Sequence, residues 1–360
     1  MTADDGVFMR RALDLARRGW GHTAPNPMVG AVLVHDGAIV GEGYHAVYGG
    51  DHAEVVALRE AGERSRGATV YVTLEPCTHT GHTPPCVDAL IDAGVTRAVI
   101  AVRDPHPVAR GGIERLTAAG IETTLGVEAA DAQELNAAFF HALGSDRPWV
   151  TLKLAVSLDG AVADASSTRG HLTTEASQRE VHRLRAGHDA VAVGIGTALA
   201  DDPLLTVRLA EPPRVPPSRV VFDRHARLPL DSRLVRTIPE APVIVVTTTP
   251  DAGRVNRLAD AGAEVVVAPT IADALALLRE RGVRTLMLEG GPRLAGAFVS
   301  AAVIDRLVIF QAPIILGMHA RGGLAFAPET RVGTARRLRL LEQRRLGDDV
   351  MTVYAMSEPD

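Results

Sequence analysis

The first part of the chain alternates between two hydrophobic periods, one of about 3.6 residues and one of about two. Phe8–Arg18 carries apolar residues at helical spacing and is followed by Gly19, which predicts a helix that ends there. Val29–Val34 and Ala38–Val40 flank Asp36-Gly37, and because this dipeptide adopts the positive φ angles of a tight turn, the segment is predicted to form a β-hairpin. The elements predicted next are helix Glu54–Ala61, strand Thr69–Leu74, helix Pro85–Ala93, strand Ala98–Val102, helix Ile113–Ala119 and strand Glu122–Gly126. This alternation predicts an α/β domain with a mostly parallel sheet covered by helices on both faces.

A polar, turn-rich segment, Gly144-Ser145-Asp146-Arg147-Pro148, interrupts this pattern. We place a domain boundary in it, which predicts a first domain over residues 1–146 and a second over residues 147–360. A second α/β series follows, with strands predicted at Val150–Val156, Ala190–Val193, Val220–Phe222, Val243–Thr247, Glu264–Val267, Thr285–Leu288, Leu307–Gln311 and Val350–Tyr354. The sequence contains no internal repeat, so the two domains are expected to have different folds.

Length and composition agree with two folded domains. The chain has 360 residues, of which 46% are hydrophobic, so each half can bury a core of its own. The net charge of −5, with both signs interspersed, offers no basic surface to a nucleic acid and favours a small-molecule substrate. There is neither a run of about 18 apolar residues nor a leader with a basic start and an apolar core, so we expect a cytoplasmic protein with no membrane partner. We also expect a homo-oligomer.

The two cysteines of the chain lie at the ends of predicted elements, as does one histidine. His52 opens a helix, Cys77 follows a strand, and Cys86 opens the next helix. One imidazole and two thiolates suit a tetrahedral zinc ion whose fourth position is open to water, and helix N-termini favour the thiolate form. A disulfide is disfavoured because the chain is expected to be cytoplasmic.

Glu54 follows the histidine by two residues and need not bind the metal. It can take a proton from zinc-bound water and deliver it to a ring nitrogen and then to the leaving amine. His-x-Glu followed by Pro-Cys and a second Cys is the arrangement of zinc deaminases that act on nucleobases, but here eight residues separate the cysteines instead of two. A lone His-x-Glu or a lone cysteine is more often structural, and His79 and His82 are rival ligands in the intervening loop.

The second half carries parts of a nucleotide-binding domain. Gly290-Gly291-Pro292 joins a predicted strand, Leu286–Glu289, to a predicted helix, Leu294–Val299, so backbone N–H groups can approach a phosphate there. Such joints are also common where no nucleotide binds. Gly194-Ile195-Gly196 lacks the third glycine of a dinucleotide fingerprint, which argues against a plain Rossmann domain.

Motifs in both halves of the chain resemble those of one known family. In the first half they are Pro25-Asn26-Pro27-Met28-Val29-Gly30, His52-Ala53-Glu54, and the segment from Glu75-Pro76-Cys77 to Pro84-Pro85-Cys86. In the second half they are Leu152-Lys153-Leu154, Ser157-Leu158-Asp159-Gly160, the segment from Thr197 through Ala200-Asp201-Asp202-Pro203 to Arg208, and Leu288-Glu289-Gly290-Gly291-Pro292. Together they resemble the bifunctional riboflavin biosynthesis proteins of the RibD family, in which a long loop between the cysteines is typical.

The resemblance implies a zinc-dependent deaminase with the three-layer α/β/α fold of cytidine deaminases, followed by an NADPH-dependent reductase with a fold similar to dihydrofolate reductase. The first domain would deaminate 2,5-diamino-6-ribosylamino-4(3H)-pyrimidinone 5′-phosphate, and the second would reduce the ribosyl side chain to ribityl. The implied substrate contacts are Asn26, Arg185, Leu205, Arg208 and Glu289. The implied NADPH contacts are Ala155, Thr197, Asp201, Arg224, Gly291, Pro292, Arg293, Leu294, Ala295, Gly296 and Ala297. Without the resemblance, Arg185 and Arg208 would be interpreted as solvated arginines.

Some positions depart from the family's pattern. Arg169 and His171 stand in a segment where many members have a substrate-binding serine and a cofactor-contacting tryptophan. Arg224 replaces a serine that contacts the cofactor in some members, and an arginine there can meet the 2′-phosphate of NADPH. His82 stands where relatives carry Lys or Arg, which would make substrate binding depend on pH.

The sequence also leaves mechanistic and functional alternatives open. Lys153 and Asp201 are the candidates for an acid–base residue of the reduction. One alternative function is a cytidine or tRNA adenosine deaminase with an unrelated second domain; the acidic net charge argues against the tRNA substrate. Another is a structural zinc site with a ligand-sensing second domain. A structural site needs four protein ligands, and the sequence offers no convincing fourth.

Overall fold

The computed structural model describes residues 4–80, 84–164, 172–248, 251–325, 331–335 and 337–356. The chain divides into two compact units, Met1–Gly144 and Ser145–Asp360. This division falls in the turn-rich segment that contains the predicted boundary between residues 146 and 147. Within the described residues, no helix is both long enough and apolar enough to cross a membrane. His82, Arg169 and His171 lie outside the described residues.

The first unit is built on a five-stranded sheet in the order β2-β1-β3-β4-β5. Its strands are β1 Gly30–His35, β2 Ala38–Tyr44, β3 Thr69–Val72, β4 Arg97–Ile100 and β5 Glu122–Leu125. Its helices are α1 Asp5–Ala16, α2 Ala53–Ala61, α3 Cys86–Asp92, α4 Gly112–Ala118, α5 Ala129–Leu135 and α6 Ala137–Gly144. The sequence analysis missed α5 and α6.

Four of the five strands in the first unit run in the same direction, as a mostly parallel sheet requires, but β1 opposes them and makes the sheet mixed. β1 pairs antiparallel with both β2 and β3, whereas β3, β4 and β5 are parallel. The cause is the path of the chain after the hairpin. Helix α2 carries the chain back so that β3 runs in the direction of β2, and β1 lies between these two strands and opposes both.

The helices of the first unit cover both faces of this sheet. Successive strand residues point to opposite faces, so Leu33 packs with residues of α2, α3 and α4, whereas Val32 packs with residues of α1 and α5. The result is a three-layer α/β/α domain. Helix α2 lies directly on the backbone of β2, because a Cβ atom at Gly43 would lie 2.2 Å from the carbonyl oxygen of Ala53. This close approach determines where the N-terminus of α2 lies.

The second unit is built on a nine-stranded sheet in the order β11-β10-β9-β8-β12-β6-β13-β16-β15, with a separate two-stranded sheet of β7 and β14. Its strands are β6 Trp149–Val156, β7 Ala161–Ala163, β8 Ala190–Gly194, β9 Ser218–Phe222, β10 Val243–Thr247, β11 Glu264–Val267, β12 Thr285–Leu288, β13 Arg306–Gln311, β14 Arg321–Gly322, β15 Arg339–Leu346 and β16 Asp349–Ala355. Its helices are α7 Glu175–Ala186, α8 Ile195–Asp201, α9 Arg233–Arg236, α10 Ala252–Asp260, α11 Ile271–Glu280 and α12 Pro292–Ser300.

Seven neighbouring strands of the large sheet, from β11 to β13, are parallel. Their carboxyl ends therefore lie along one edge, where ligands of open α/β sheets bind. The antiparallel strands β16 and β15 complete the sheet. The prediction missed β15 because this strand, at the end of the sheet, is largely exposed and rich in arginine.

Candidate active sites of the two units

Three elements of the first unit bring their ends together around one group of donor atoms. His52 precedes α2, Cys77 follows β3, and Cys86 is the first residue of α3. His52 Nδ1 lies 3.1 Å from Cys86 Sγ and 3.5 Å from Cys77 Sγ. Among the described residues, these three form the cluster of potential metal ligands, with all donor atoms within 4.8 Å of one another. His79 lines the neighbouring cavity but is not a member of this cluster.

The distances in this cluster fit a zinc ion. Zn–S bonds of about 2.3 Å and a Zn–N bond of about 2.0 Å at a tetrahedral angle place the nitrogen and sulfur atoms about 3.5 Å apart. Cys77 and Cys86 are both buried and form no disulfide. One imidazole and two thiols are also the donor types that zinc prefers. The residues present therefore fit the metal.

The two thiols differ in how readily they lose a proton. Hydrogen bonds from the Cys86 thiol and from the His52 ring lower the pKa of Cys77 to about 4. The pKa of Cys86 is raised because the proton that it shares with the Cys77 thiolate stays on Cys86. Since metals bind cysteine as thiolate, a cation at this position would displace that remaining proton.

Glu54 lies in the first turn of α2, beside this cluster. Its side chain is buried, with 3% of the residue exposed, and it lines a cavity of about 190 Å³. Burial raises the pKa of Glu54 to about 7, although the charge of His52 opposes the shift. A carboxyl group whose pKa lies near neutrality can both accept and release a proton, which is what a proton shuttle needs.

Asn26 reaches the same cavity and is held there by a histidine that the sequence analysis missed. His45 Nδ1 lies 3.0 Å from the Asp51 carbonyl oxygen, and Asn26 Nδ2 lies 3.3 Å from His45 Nε2. Because a carbonyl only accepts, the ring donates from Nδ1 and accepts the Asn26 amide at Nε2. Burial lowers the pKa of His45, in agreement with a neutral ring. The amide of Asn26 is therefore oriented, with its oxygen free to pair with a ligand.

Four other residues that line this cavity were also missed by the sequence analysis. They are Glu75, Asp104, His106 and Phe139. Of these residues, only Glu75 could have been identified from the sequence as part of the site, because it stands immediately before Pro76-Cys77. The others come from loops and a helix that only the fold brings to the cavity.

In the second unit, two of the expected substrate residues form a buried ion pair. Arg185 donates from Nε and Nη2 to the two carboxylate oxygens of Glu289, at 2.6 and 2.9 Å. Arg185 Nη1 also donates to the Thr206 carbonyl at 3.1 Å. Although burial opposes ionisation, the charge and hydrogen bonds of Arg185 hold the pKa of Glu289 at about 2. The bidentate face of Arg185 is thus already occupied by a carboxylate, whereas the side chain of Arg208 is exposed.

Arg208 and Leu205 are placed by the segment that precedes them. Leu205 is buried and adopts a left-handed backbone conformation with φ of 56°. The backbone N–H of Arg208 donates to His182 Nδ1 at 2.9 Å, and its guanidinium donates to Thr206 Oγ1 at 2.8 Å. His182, on α7, is a further residue that the sequence analysis missed.

His182 predicts a pH dependence of stability. Burial and the charges of Arg185 and Arg208 lower its pKa to about 4, whereas an unfolded histidine titrates near about 6.5. Below about pH 6.5 the unfolded chain binds a proton that the folded chain excludes, so stability is lost as the pH falls from about 6.5 to about 4. Calorimetry of the full chain should show that His182→Asn, which keeps an acceptor but does not titrate, removes about 1–2 kcal/mol of the loss between pH 7 and pH 5. Equal losses in both proteins would contradict this assignment.

The expected coenzyme residues lie along the carboxyl edge of the large sheet. Gly291 and Thr197 are neighbours, because a Cβ atom at Gly291 would lie 3.3 Å from Thr197 Oγ1. Helix α12 begins at Pro292, directly after Gly291, and within the described residues no side chain caps its N-terminus. Because Pro292 has no N–H group and the N–H groups of Leu294 and Ala295 donate to the Gly291 carbonyl, the backbone donor that this end can offer to a phosphate is the N–H of Arg293. Arg224 follows β9 and is exposed. These features fit a nucleotide that crosses the ends of β12, β8 and β9.

The remaining expected coenzyme residues differ in their accessibility. Pro292, Arg293, Leu294 and Ala297 are exposed or partly exposed on α12, and Asp201 is exposed at the end of α8. Ala155 lies on β6, where it pairs with Phe310. Ala295 is fully buried in the core. A Cβ atom at Gly296 would lie 1.8 Å from the Ala325 carbonyl oxygen, so this glycine is required for packing within the protein.

Comparison with known proteins gives matches for both units. Residues 148–352 match the family model described as the RibD C-terminal domain, and residues 2–102 match that of the cytidine and deoxycytidylate deaminase zinc-binding region. The riboflavin biosynthesis protein RibD of Aquifex aeolicus is 44% identical over 87% of this chain and 88% of that protein. The structure of Acinetobacter baumannii RibD has a TM-score of 0.84 at 37% identity and covers 99% of both chains.

A second solved structure is named for two activities. It comes from Thermotoga maritima and is called a diaminohydroxyphosphoribosylaminopyrimidine deaminase/5-amino-6-(5-phosphoribosylamino)uracil reductase. It has a TM-score of 0.84 at 34% identity and covers 98% of this chain and 99% of that one.

Proposed function

Because the chain belongs to the RibD family of bifunctional riboflavin biosynthesis enzymes, we propose that its two units act in succession on one pyrimidine. The first unit deaminates 2,5-diamino-6-ribosylamino-4(3H)-pyrimidinone 5′-phosphate, and the second reduces the ribosyl side chain of the product to ribityl. The family provides a zinc-binding deaminase domain and an NADPH-dependent reductase domain. The observation that carries the proposal is the cluster of His52, Cys77 and Cys86 beside the buried Glu54.

In the deamination, His52, Cys77 and Cys86 are the proposed zinc ligands. The ion, when bound, supplies a water molecule that is acidic enough to act as a hydroxide near neutral pH. Glu54 accepts the proton of that water and passes it to a ring nitrogen of the substrate and then to the leaving amine. Asn26, held by His45, pairs with the pyrimidine ring and sets its orientation.

In the reduction, the protein positions the substrate and provides a proton. Arg208 is proposed to bind the substrate phosphate, since Arg185 is paired with Glu289. Leu205 and the Arg185–Glu289 pair form the wall beside it. Lys153 is the better of the two acid–base candidates, because burial lowers the pKa of its ammonium group, whereas Asp201 is exposed. When bound, NADPH would supply the hydride that reduces C1′ of the ring-opened imine, and Lys153 is proposed to protonate the imine nitrogen.

The coenzyme contacts follow from the same edge of the sheet. Gly291 and the accessible residues Pro292, Arg293, Leu294 and Ala297 are proposed to lie against the diphosphate, with Thr197, Asp201 and Ala155 beside it. Ala295 and Gly296, which pack inside the protein, support this turn from behind. Arg224, exposed after β9, is proposed to contact the 2′-phosphate of NADPH.

The proposal extends to the setting of the enzyme. We place it in the cytoplasm as a homo-oligomer that acts on a small molecule and binds neither nucleic acid nor membrane. The match of residues 148–352 to the reductase family argues against the alternative of a cytidine or tRNA adenosine deaminase with an unrelated second domain. It argues equally against a structural zinc site with a sensor domain.

The test is a coupled assay of the purified full chain. With the diaminopyrimidine substrate and NADPH, we expect one ammonia released and one NADPH oxidised per substrate, with ammonia release preceding NADPH oxidation. Omitting the pyrimidine should abolish both signals. Absence of both signals from the complete mixture would overturn the proposal. Ammonia release from free cytidine at a comparable rate would redirect it to the cytidine deaminase alternative.

A further inference from the structure

Glu75 lies at the boundary between the metal cluster and the loop that closes the cavity of the first unit. Its backbone N–H extends the sheet by donating to the Val102 carbonyl at 2.9 Å, and Cys77 follows two residues later. Only 3% of the residue is exposed. A buried carboxylate in this position must be satisfied by hydrogen bonds.

Three backbone N–H groups of one loop satisfy this carboxylate. Oε1 accepts from Gly111 N at 3.1 Å and from Ile113 N at 3.0 Å, and Oε2 accepts from Asp104 N at 3.1 Å. These donors lie at the start and at the end of the segment from Asp104 to Ile113, which we call the cavity loop. One side chain therefore ties both ends of the cavity loop to a single point.

The cavity loop supplies three residues to the cavity wall, namely Asp104, His106 and Ala109. The backbone N–H of His106 donates to Asp104 Oδ1 at 2.8 Å, and the N–H of Val108 donates to His106 Nδ1 at 3.3 Å. Because a backbone N–H only donates, Nδ1 of His106 is the acceptor in this contact. The orientation of His106 thus depends on Asp104, and the position of Asp104 depends on Glu75.

The same loop packs against the peptide that leads into Cys77. A Cβ atom at Gly112 would lie 2.1 Å from the Pro76 carbonyl oxygen. Thr78 N also donates to the Ala109 carbonyl at 3.3 Å. The cavity loop and the segment that leads into Cys77 therefore pack directly against each other, with Glu75 between them.

We propose that Glu75 is a positioning residue of the deaminase site: it holds the cavity loop so that Asp104 and His106 face the bound pyrimidine nucleotide. This inference rests on the proposed deaminase function. Asp104 and His106 act as binding residues for polar groups of the substrate, and Glu75 acts only through them. Loss of one of its acceptor oxygens is therefore expected to weaken substrate binding more than it slows the chemical step.

Glu75→Gln tests this role with little change in volume. Glutamine keeps one acceptor oxygen, which can still serve Gly111 and Ile113, but it turns an NH₂ group toward the N–H of Asp104. The loop end that carries Asp104 and His106 is released, whereas the other end stays attached. We expect KM of the deaminase reaction to rise about tenfold, which corresponds to the loss of about 1.4 kcal/mol of binding. The kcat value is expected to change less than about threefold.

Controls separate this role from a structural one. Glu60→Gln is the matched control, because Glu60 also accepts a backbone N–H, that of Glu42, but lies on the surface. It should leave KM unchanged. Zinc content and the reductase KM of the same chain should be unaltered in both variants. A wild-type chain without deaminase activity would refute the proposed function itself, before any variant is made.

A double-mutant cycle decides whether Glu75 acts through the loop. His106→Ala alone should raise KM. The KM of the Glu75→Gln/His106→Ala double variant should be no higher than that of whichever single variant has the higher KM, because both substitutions remove the same contact. Additive effects would overturn the inference. The inference would also be overturned if Glu75→Gln lowered the melting temperature but left KM unchanged, because Glu75 would then have only a structural role. If Glu75→Gln does not fold, His106→Ala with wild-type KM would overturn it as well.

Discussion

Glu54→Gln is expected to reduce deaminase turnover by about 10²–10⁴-fold while zinc stays bound. The amide is nearly isosteric with the carboxyl group but cannot accept the proton of a bound water. Glu54 is buried in the first turn of α2 and its pKa is raised to about 7 by burial, so it can take up and release a proton near neutral pH. The measurement is ammonia release under saturating substrate, with zinc determined by elemental analysis.

The internal control for Glu54→Gln is the second unit of the same chain. When the deaminated pyrimidine is supplied directly, NADPH oxidation should proceed at the wild-type rate. Glu60→Gln, a surface change on the same helix, should leave both reactions intact. Loss of zinc from a folded Glu54→Gln protein would contradict the shuttle role and would make Glu54 a ligand instead.

Cys86→Ser is expected to remove both the metal and the deaminase activity. Cys86 is completely buried at the start of α3, and its Sγ lies 3.1 Å from His52 Nδ1. A serine hydroxyl is a much harder and less acidic donor than a thiol, so the site keeps only two of its three ligands. Elemental analysis should find less than about a tenth of the wild-type zinc, and ammonia release should fall to background, roughly in proportion to the metal lost.

The contrast between the two variants distinguishes ligand from shuttle. Glu54→Gln is expected to keep zinc and lose deaminase turnover, whereas Cys86→Ser is expected to lose both. Zinc added at physiological concentration should restore neither the metal content nor the turnover of Cys86→Ser. Reduction of the supplied deaminated pyrimidine should survive in Cys86→Ser. Full zinc content in this variant would mean that another side chain completes the site, and His79, which lines the cavity, would be the first to test.

The metal cluster could be predicted because its residues lie at recognisable element ends. His52 and Cys86 each stand at the start of a helix and Cys77 follows a strand, and these positions are legible from hydrophobic periodicity and from proline. The cavity around the cluster could not be predicted in the same way. His45, Asp104 and His106 lie in loops whose paths depend on packing, and no local period identifies a loop residue as part of a site.

Strands with a run of apolar or β-branched residues were predicted, whether buried or largely exposed, whereas the arginine-rich strand β15 was not. β10 and β12 are apolar except for Thr247 and Thr285, because both faces of these strands are covered. β15 lies at the end of its sheet, and its exposed arginines gave no strand pattern. The mixed order of the first sheet was also missed, since strand direction depends on the crossover of α2 and leaves no trace in composition.

By itself, the sequence determined the types of elements, the two-part organisation and the ligand chemistry of zinc, because periodicity and residue type act locally. The tertiary structure decided the charge and the accessibility of individual groups. The family resemblance implied that Arg185 and Glu289 both contact the substrate, and only the fold showed that these two side chains pair with each other. The pKa of Glu54 and the three hydrogen bonds of Glu75 are likewise set by neighbours distant in sequence. Burial and partner distance govern electrostatics, and neither exists before the chain has folded.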